Sequence, residues 1–356
     1  MNSKPIFYIA NSIYQFAYAL PIYRQLGGIF VVNSAKKLRH FKKHFKDWAC
    51  HEEQNSDGTP NVILMDRSEY QHLKGVLLFL ANSITPEHTY QDAICLFHEH
   101  GTSDKLYEGG AEIGVRKLNK YDYILLSGPK NLERLREIGA DLSASRMVAS
   151  GPLRFDDYLH GAFDRQKELI NLGIKDTTRK NVLYAPTWRF GDGTMRKYFI
   201  PFAKALTKEY NLILRPHYHD RKEALVLYWI TKLMGMSHVY YSNAADIRNR
   251  DTYADFVLSD LLISDMSSVV YEYLITEKPM IIIENHFKAR HQMPAHWSAG
   301  SVAAIFNERK CIATLVQLAF ENAEESAERY RTLLNHCFYR PQGGAVAFTV
   351  DFIKSL

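Results

Sequence analysis

Five short stretches gather the residue types that handle anions and protons. They are His98-Glu99-His100-Gly101-Thr102-Ser103-Asp104-Lys105, Gly151-Pro152-Leu153-Arg154-Phe155-Asp156, and Ala185-Pro186-Thr187-Trp188-Arg189. Arg215-Pro216-His217-Tyr218-His219 and Asp265-Met266-Ser267-Ser268 complete the set. An imidazole with an ordinary pKa near ~6.5 can take or give a proton at neutral pH. Guanidinium forks, hydroxyls and close backbone approach at glycine suit phosphate oxygens. Taken singly, each stretch also has a structural reading. His100 could be a hydrogen-bonding group at a strand end, Arg154 and Asp156 could pair with each other, and Trp188 could simply pack. Asp265, Ser267 and Ser268 could only cap the helix that follows. His98 and His100 do not make a metal pair, because alternate strand residues point to opposite faces and no further ligand set has the usual spacing. Five such stretches at consecutive strand ends favour an anion-handling site.

The elements that must position them follow from apolar runs and their punctuation. Ile6–Ala10, Ile29–Val32, Val62–Met65, Val76–Leu80, Ile94–Phe97, Tyr123–Leu126 and Met147–Ala149 read as strands. Asn11-Ser12 opens a helix toward Leu26, Ser34 caps a basic helix to about Phe45, and another helix covers Asn131 to about Ile138. A second series begins at Val182–Tyr184 and continues through Leu212–Leu214, Val239–Tyr241, Leu261–Ile263 and Met280–Ile283. Helices are expected over Tyr198–Glu209 and Lys222–Leu233, and from Ser268 until Lys278-Pro279 stops the chain. Alternating strand and helix predicts α/β architecture with parallel sheets covered on both faces. Ligands in such sheets gather at the carboxyl ends of strands, where the five stretches lie. The polar run between Tyr158 and Lys180 marks a boundary. The expected division is 1–160, a linker 161–180, a domain 181–330 and a helical tail 331–356 that could cross back.

The chain has 356 residues, 46% hydrophobic and 23% charged, as for a globular protein with ample core. No apolar run approaches the ~20 residues that span a bilayer. Lys4 is the only cation before Pro5–Ala10, which argues against a signal peptide. Cys50, Cys95, Cys311 and Cys337 form no CxxC and are expected reduced, buried and structural, consistent with a cytoplasmic setting. The net charge of +5 suits an anionic partner.

In order and spacing, these motifs resemble the CDP-glycerol glycerophosphotransferases, which prime and polymerise teichoic acids and related capsule polymers. The match is carried by His100-Gly101-Thr102 with Lys105, Gly151 with Arg154 and Asp156, Ala185-Pro186-Thr187-Trp188-Arg189, Arg215-Pro216-His217, and Asp265-Met266-Ser267-Ser268 with Glu272 and Lys278-Pro279. The resemblance implies a GT-B fold, two Rossmann-like domains facing across a cleft, with the donor held mainly by the C-terminal one and the acceptor on the N-terminal side. Three departures stand out: Glu99 where the family usually has Trp, Pro152 one position early, and Tyr218 in place of a second Pro. Acceptor choice is expected in the chain before Ile94.

The implied reaction moves glycerol phosphate, or a related alditol phosphate such as ribitol phosphate, from a CDP-activated donor to an acceptor hydroxyl, releasing CMP. His100 is the expected general base. His217, Arg215 and Arg189 would stabilise charge on the pyrophosphate. Gly101, Thr102, Arg154, Thr187, Asp265, Ser267, Ser268 and the helix N-terminus would hold phosphates, and Glu272 donor hydroxyls. Arg, His and the helix dipole can carry this charge with no metal and no cofactor. The expected acceptor is a lipid-linked or polymeric saccharide or polyol phosphate. That calls for an enzyme peripheral on the inner face of the membrane. Lys36, Lys37, Arg39, Lys42, Lys43 and Lys46 around Leu38, Phe41 and Phe45 could dock on anionic lipid, or could be a solvated face over the first sheet. Rival readings are a nucleotide-sugar glycosyltransferase or UDP-sugar epimerase of the same fold, and a non-catalytic polyanion or membrane-surface binding protein. Nucleic acid is not expected, since no known binding module is visible.

Overall fold

The computed structural model describes residues 4–49, 58–80, 86, 90–99, 101–104, 116–137, 139, 146–246, 251–265, 267–285 and 294–356, without the side chains of 44–49, 191 and 295. Cys50, His100, Lys105 and Met266 therefore lie outside the described residues. The chain forms two compact units. One holds residues 1–102, 106–160 and 337–356, the other residues 103–105 and 161–336.

The first unit is built on seven strands: β1 Ile6–Ile9, β2 Ile29–Val32, β3 Val62–Leu64, β4 Gly75–Phe79, β5 Ala93–His98, β6 Tyr123–Leu126 and β7 Met147–Ala149. Their order is β3-β2-β1-β4-β5-β6-β7, with every pairing parallel. Helices on both faces make the central strands apolar throughout, and Ile9, Phe79 and Phe97 come into register across β1, β4 and β5. The helix expected from Ser12 to Leu26 is broken into a 3-10 turn, Ile13–Tyr18, and an α-helix, Leu20–Leu26. Pro21 is the cause: it has no N–H to continue the first turn but fits the start of the second.

The basic helix runs Ala35–Ala49. Phe41 is only 2% exposed and packs on Phe16 and Phe30, with ring centroids 5.8 and 5.2 Å away. Phe41, on the apolar side of this helix, is therefore packed inward in the first unit. Lys36, Arg39, Lys42 and Lys43 remain exposed on its other side.

The second unit has six strands: β8 Asn181–Ala185, β9 Asn211–Leu214, β10 Val239–Tyr241, β11 Leu261–Ser264, β12 Met280–Ile283 and β13 Ala304–Phe306. Their order is β10-β9-β8-β11-β12-β13, again all parallel. β13 is missing from the expected series, being three residues at the sheet edge, two of them only half-buried. The helix expected at Tyr198–Glu209 spans Met195–Leu206, with Pro201 inside it.

The stretch expected as a linker, 161–180, is not one: it carries the helix Arg165–Leu172, capped by Asp164 and ended by Gly173 in the left-handed conformation. Arg165 donates to the carbonyls of Val257 and Leu258 (2.6 and 2.8 Å) and pairs with Asp260 at 2.9 Å, tying this helix into the second unit. At the far end, the helix Ala323–Cys337 runs through the expected 330/331 boundary, and the helix Ala345–Ser355 packs in the first unit. Of the described cysteines, Cys95 and Cys337 are buried, while Cys311 is exposed at the start of the helix Ile312–Glu321, against expectation. Among the described residues no helix is long and apolar enough to cross a membrane.

Candidate functional site

β9, β8 and β11 are parallel neighbours, so the chain leaving each emerges along one edge of the second sheet. Two carboxylates stitch those exits together. Asp265, 1% exposed, accepts from the Thr187 N–H at 2.7 Å, the Thr194 N–H at 3.0 Å and the Thr194 hydroxyl at 2.8 Å. Asp220 accepts from the Arg189 N–H at 2.8 Å. Gly193 permits the fold-back between Thr187 and Thr194, because a Cβ there would fall 2.2 Å from the Thr187 carbonyl oxygen. Asp265 thus clasps Thr187 and Thr194 together, each of its oxygens accepting from an internal donor. The same carboxylate, after burial itself, pushes the Tyr184 phenol well above its ordinary pKa.

Along this edge the Trp188 ring lies 5.7 Å from His217 and 5.4 Å from His219, and the two imidazoles are 5.2 Å apart. His217 Nδ1 accepts from the His219 N–H at 3.3 Å, which leaves the proton of a neutral ring on Nε2 as a donor. Arg189 is exposed, its guanidinium 4.7 Å above the Phe190 ring. Arg215 is engaged within the second unit. Its guanidinium pairs with the fully buried Asp255 at 3.2 Å and donates to Ser242 and Thr252, also at 3.2 Å. That network holds the start of the Arg-Pro-His turn in place.

Ser267 is the N-cap of the helix Ser268–Tyr273, its hydroxyl 3.4 Å from the Val269 N–H. Glu272 in that helix is buried. Tyr271, in the same helix, donates to Asp104 at 2.8 Å and accepts from the Ala299 N–H at 3.2 Å. Asp104, Asp265, Ser267, Tyr271, Asn285 and Gly300 help to line a cavity of about 280 Å³. A second cavity of about 720 Å³ shares Glu284 and Asn285 with it and adds Thr194, Arg196, Lys197 and Arg309. Ion pairs Arg196–Glu223 and Lys197–Glu308 occupy two of its cations. The smaller cavity adjoins the serine motif and is the better place for a ligand. Asp104 stands in the quoted His-Gly-Thr stretch, but nothing in sequence ties it to Tyr271. Lys278, expected as a helix stop, also pins carbonyls of Phe256 and Ser259 at 3.0 and 2.7 Å. Burial pushes its ammonium down to about 8, with Asp260 opposing and Arg165 reinforcing the shift.

In the first unit, Thr102 is buried with its hydroxyl 2.9 Å from Ser127 Oγ and 3.2 Å from Asn131 Oδ1. Gly101 beside it is half-buried. Arg154 is buried with its guanidinium 5.7 Å from the Tyr18 ring centre. Asp156 accepts from the Val346 N–H at 2.9 Å and the Ala345 N–H at 3.4 Å, capping the helix Ala345–Ser355 rather than serving a ligand. Gly151 has φ +87°, and a Cβ there would meet the Tyr339 carbonyl oxygen at 2.6 Å, so this turn is shaped for the returning C-terminal segment.

The family model for CDP-Glycerol:Poly(glycerophosphate) glycerophosphotransferase matches residues 90–345. The teichoic acid poly(glycerol phosphate) polymerase of Bacillus spizizenii is 28% identical over 197 residues, 52% of this chain and 45% of that protein. The teichoic acid glycerol-phosphate primase of Bacillus subtilis is 24% identical over 268 residues, 67% of this chain and 65% of that one. The chain thus matches less than two thirds of the length of either relative. Among solved structures, a variant of the wall teichoic acid polymerase TagF with CDPG has a TM-score of 0.69 at 17% identity, covering 99% of this chain and 88% of that chain. That likeness is one of fold.

Proposed function

The chain belongs to the CDP-glycerol:poly(glycerophosphate) glycerophosphotransferase family, and on that premise we propose that it transfers glycerol phosphate, or a related alditol phosphate, from a CDP-activated donor to an acceptor hydroxyl. The observation that carries this reading is the edge of the second sheet. There Asp265 holds Thr187, Asp220 holds Arg189 while its own N–H donates to the His217 carbonyl at 2.9 Å, and the Ser267 turn follows the neighbouring strand β11. The acceptor oxygen would attack the phosphorus bearing the alditol, the bond from that phosphorus to the bridging oxygen would break, and CMP would leave with that oxygen. His100 would take the acceptor proton. His217 Nε2 and the Arg189 guanidinium would face charge gathering on the leaving phosphate, where pre-placed donors contribute most to rate. Ser267, Ser268 and the helix N-terminus would hold the donor phosphates. Glu272, Gly101, Thr102 and Arg154 would shape the site around the substrates. Arg215, held by Asp255, would position His217 rather than touch phosphate.

The acceptor is proposed to be a polyol-phosphate polymer or its lipid-linked primer, reached at an anionic membrane surface through the exposed cations of the helix Ala35–Ala49.

CMP release from CDP-glycerol, with a synthetic glycerol-phosphate acceptor, tests the reaction. His100→Ala should lower kcat by ~10²–10⁴ with donor binding nearly unchanged. His217→Ala should lower kcat and also weaken donor binding, since its contact exists before the transition state. Near-normal turnover by His100→Ala would remove the proposed base. CMP release from no CDP-alditol, with UDP released from UDP-sugars instead, would replace the reaction by a sugar-nucleotide chemistry.

A further inference from the structure

We infer that the outward face of the helix Arg221–Leu233 is a docking surface that inserts into an anionic lipid bilayer. A helix on a globular unit normally turns its apolar stripe to the core and polar residues to water. This one buries Ala224 and Thr231, yet Leu225, Val226, Trp229, Ile230, Leu233 and the capping Met234 are all exposed. Val226, Trp229 and Leu233 are 60%, 58% and 88% exposed. Their spacing sets them in one line down the helix, with Leu225 and Ile230 on either side of it. Six of the eleven large hydrophobics exposed among the described residues thus fall on this helix and its cap. Single exposed apolar residues are ordinary, but a contiguous patch marks an interface.

Charge decides what covers it. Lys222 is exposed at the head of the same line, and Arg221 and Lys232 follow the flank that carries Leu225. Glu223, the one carboxylate of the helix, lies on the other flank and is paired with Arg196. The patch is therefore rimmed by net positive charge. A second copy of this chain would set those cations against their own counterparts across a twofold axis. Anionic headgroups complement them, while Trp and Leu suit the boundary between headgroups and acyl chains. The helix also starts directly after the turn Tyr218–Asp220, and Arg221 donates to the Tyr218 carbonyl at 2.7 Å. A bilayer on this face would lie beside the Arg-Pro-His turn, where a lipid-linked acceptor must be presented. The docking does not depend on the reaction, and it differs from the contact proposed for Ala35–Ala49, which is one of charge alone.

The test is flotation of the full chain with vesicles of phosphatidylcholine and phosphatidylglycerol, beside vesicles of phosphatidylcholine alone. Wild type should stay on the anionic vesicles at about 1 M salt, where the Debye length is only ~3 Å and binding by charge alone fails. Trp229→Ser and Leu233→Ser should each weaken partitioning about tenfold, and together about 100-fold. Both side chains face solvent, so Tm should not move. Lys222→Glu should weaken low-salt binding to the anionic vesicles about tenfold and leave binding to phosphatidylcholine as it is. Release of wild type at high salt, or equal flotation of the double variant there, would overturn the proposal. So would equal low-salt binding of wild type to both kinds of vesicle. A lipid-free dimer that the double variant makes monomeric would also overturn it, showing that a second copy covers the face. If the double variant does not fold, quenching of Trp229 by brominated lipid decides, read as the difference between wild type and Trp229→Phe. No quenching would overturn the insertion.

Discussion

Replacing Asp265 by Asn separates a clasp from a ligand contact. In the native site one carboxylate oxygen takes the Thr187 N–H and the other takes the Thr194 N–H and hydroxyl. An Asn can keep its oxygen on Thr187, but its NH₂ then faces the Thr194 N–H, donor against donor. The Thr194 hydroxyl can turn to accept, although it also meets the Tyr184 hydroxyl at 2.9 Å. The change thus strands one buried donor, at ~1–3 kcal/mol, and turns charge-assisted bonds of ~1.5–3 kcal/mol into neutral ones of ~0.5–1.5. A loss of about 3 kcal/mol follows, and Asp265→Ala, which strands all three donors, should cost more. For a unit of this size each kcal/mol lowers Tm by ~2–4 °C, so calorimetry should show the second unit's transition fall by roughly 6–12 °C. Donor KM should rise as well, because Thr187 to Arg189 lose their anchor. An unchanged Tm combined with lost donor affinity would refute this account and make Asp265 a direct ligand group.

Two further outcomes are expected. Lys278 has a folded pKa near 8 against an ordinary 10.5, so below pH 8 its proton is carried at a cost in the folded state. Between these values only the unfolded chain holds the proton, so this residue's contribution to stability rises with pH across the window by up to about 3 kcal/mol. Urea unfolding of wild type and Lys278→Met at pH 7.5 and 10.5 should show the difference between them move in favour of wild type as pH rises; a constant difference would refute the shift. Because Phe41 is buried, anionic-vesicle binding through the helix Ala35–Ala49 should be electrostatic, at about 1 kcal/mol per cation, and salt-sensitive. Charge reversal at Lys42 and Lys43 should reduce flotation at least about tenfold; equal flotation of the two proteins would exclude this surface.

The sequence by itself determined where the strands and the reactive chemistry lie. Parallel strands buried on both faces are short apolar runs, and β2, β6, β7, β10 and β12 fall where those runs predict them. Residues at strand ends are polar against that background, so the Thr-Trp-Arg, Arg-Pro-His and Asp-Met-Ser-Ser turns stand out. What a polar residue bonds to was decided only in three dimensions. Asp265, Asp156 and Arg215 have residue types that suit a ligand, yet Thr187 and Thr194, the Ala345 and Val346 amides, and Asp255 take their hydrogen-bonding capacity. Those partners lie 40 to 190 residues away in several cases, and no local pattern records them. The Arg165 helix and β13 were hidden for a related reason: each is short and weakly patterned, and is held by tertiary contacts such as Arg165 with Asp260 and β13 with β12. Side-chain type limits what a site can do, but desolvation charges any buried polar group for a missing partner. Packing therefore decides which of these groups bind the fold itself and which face a substrate.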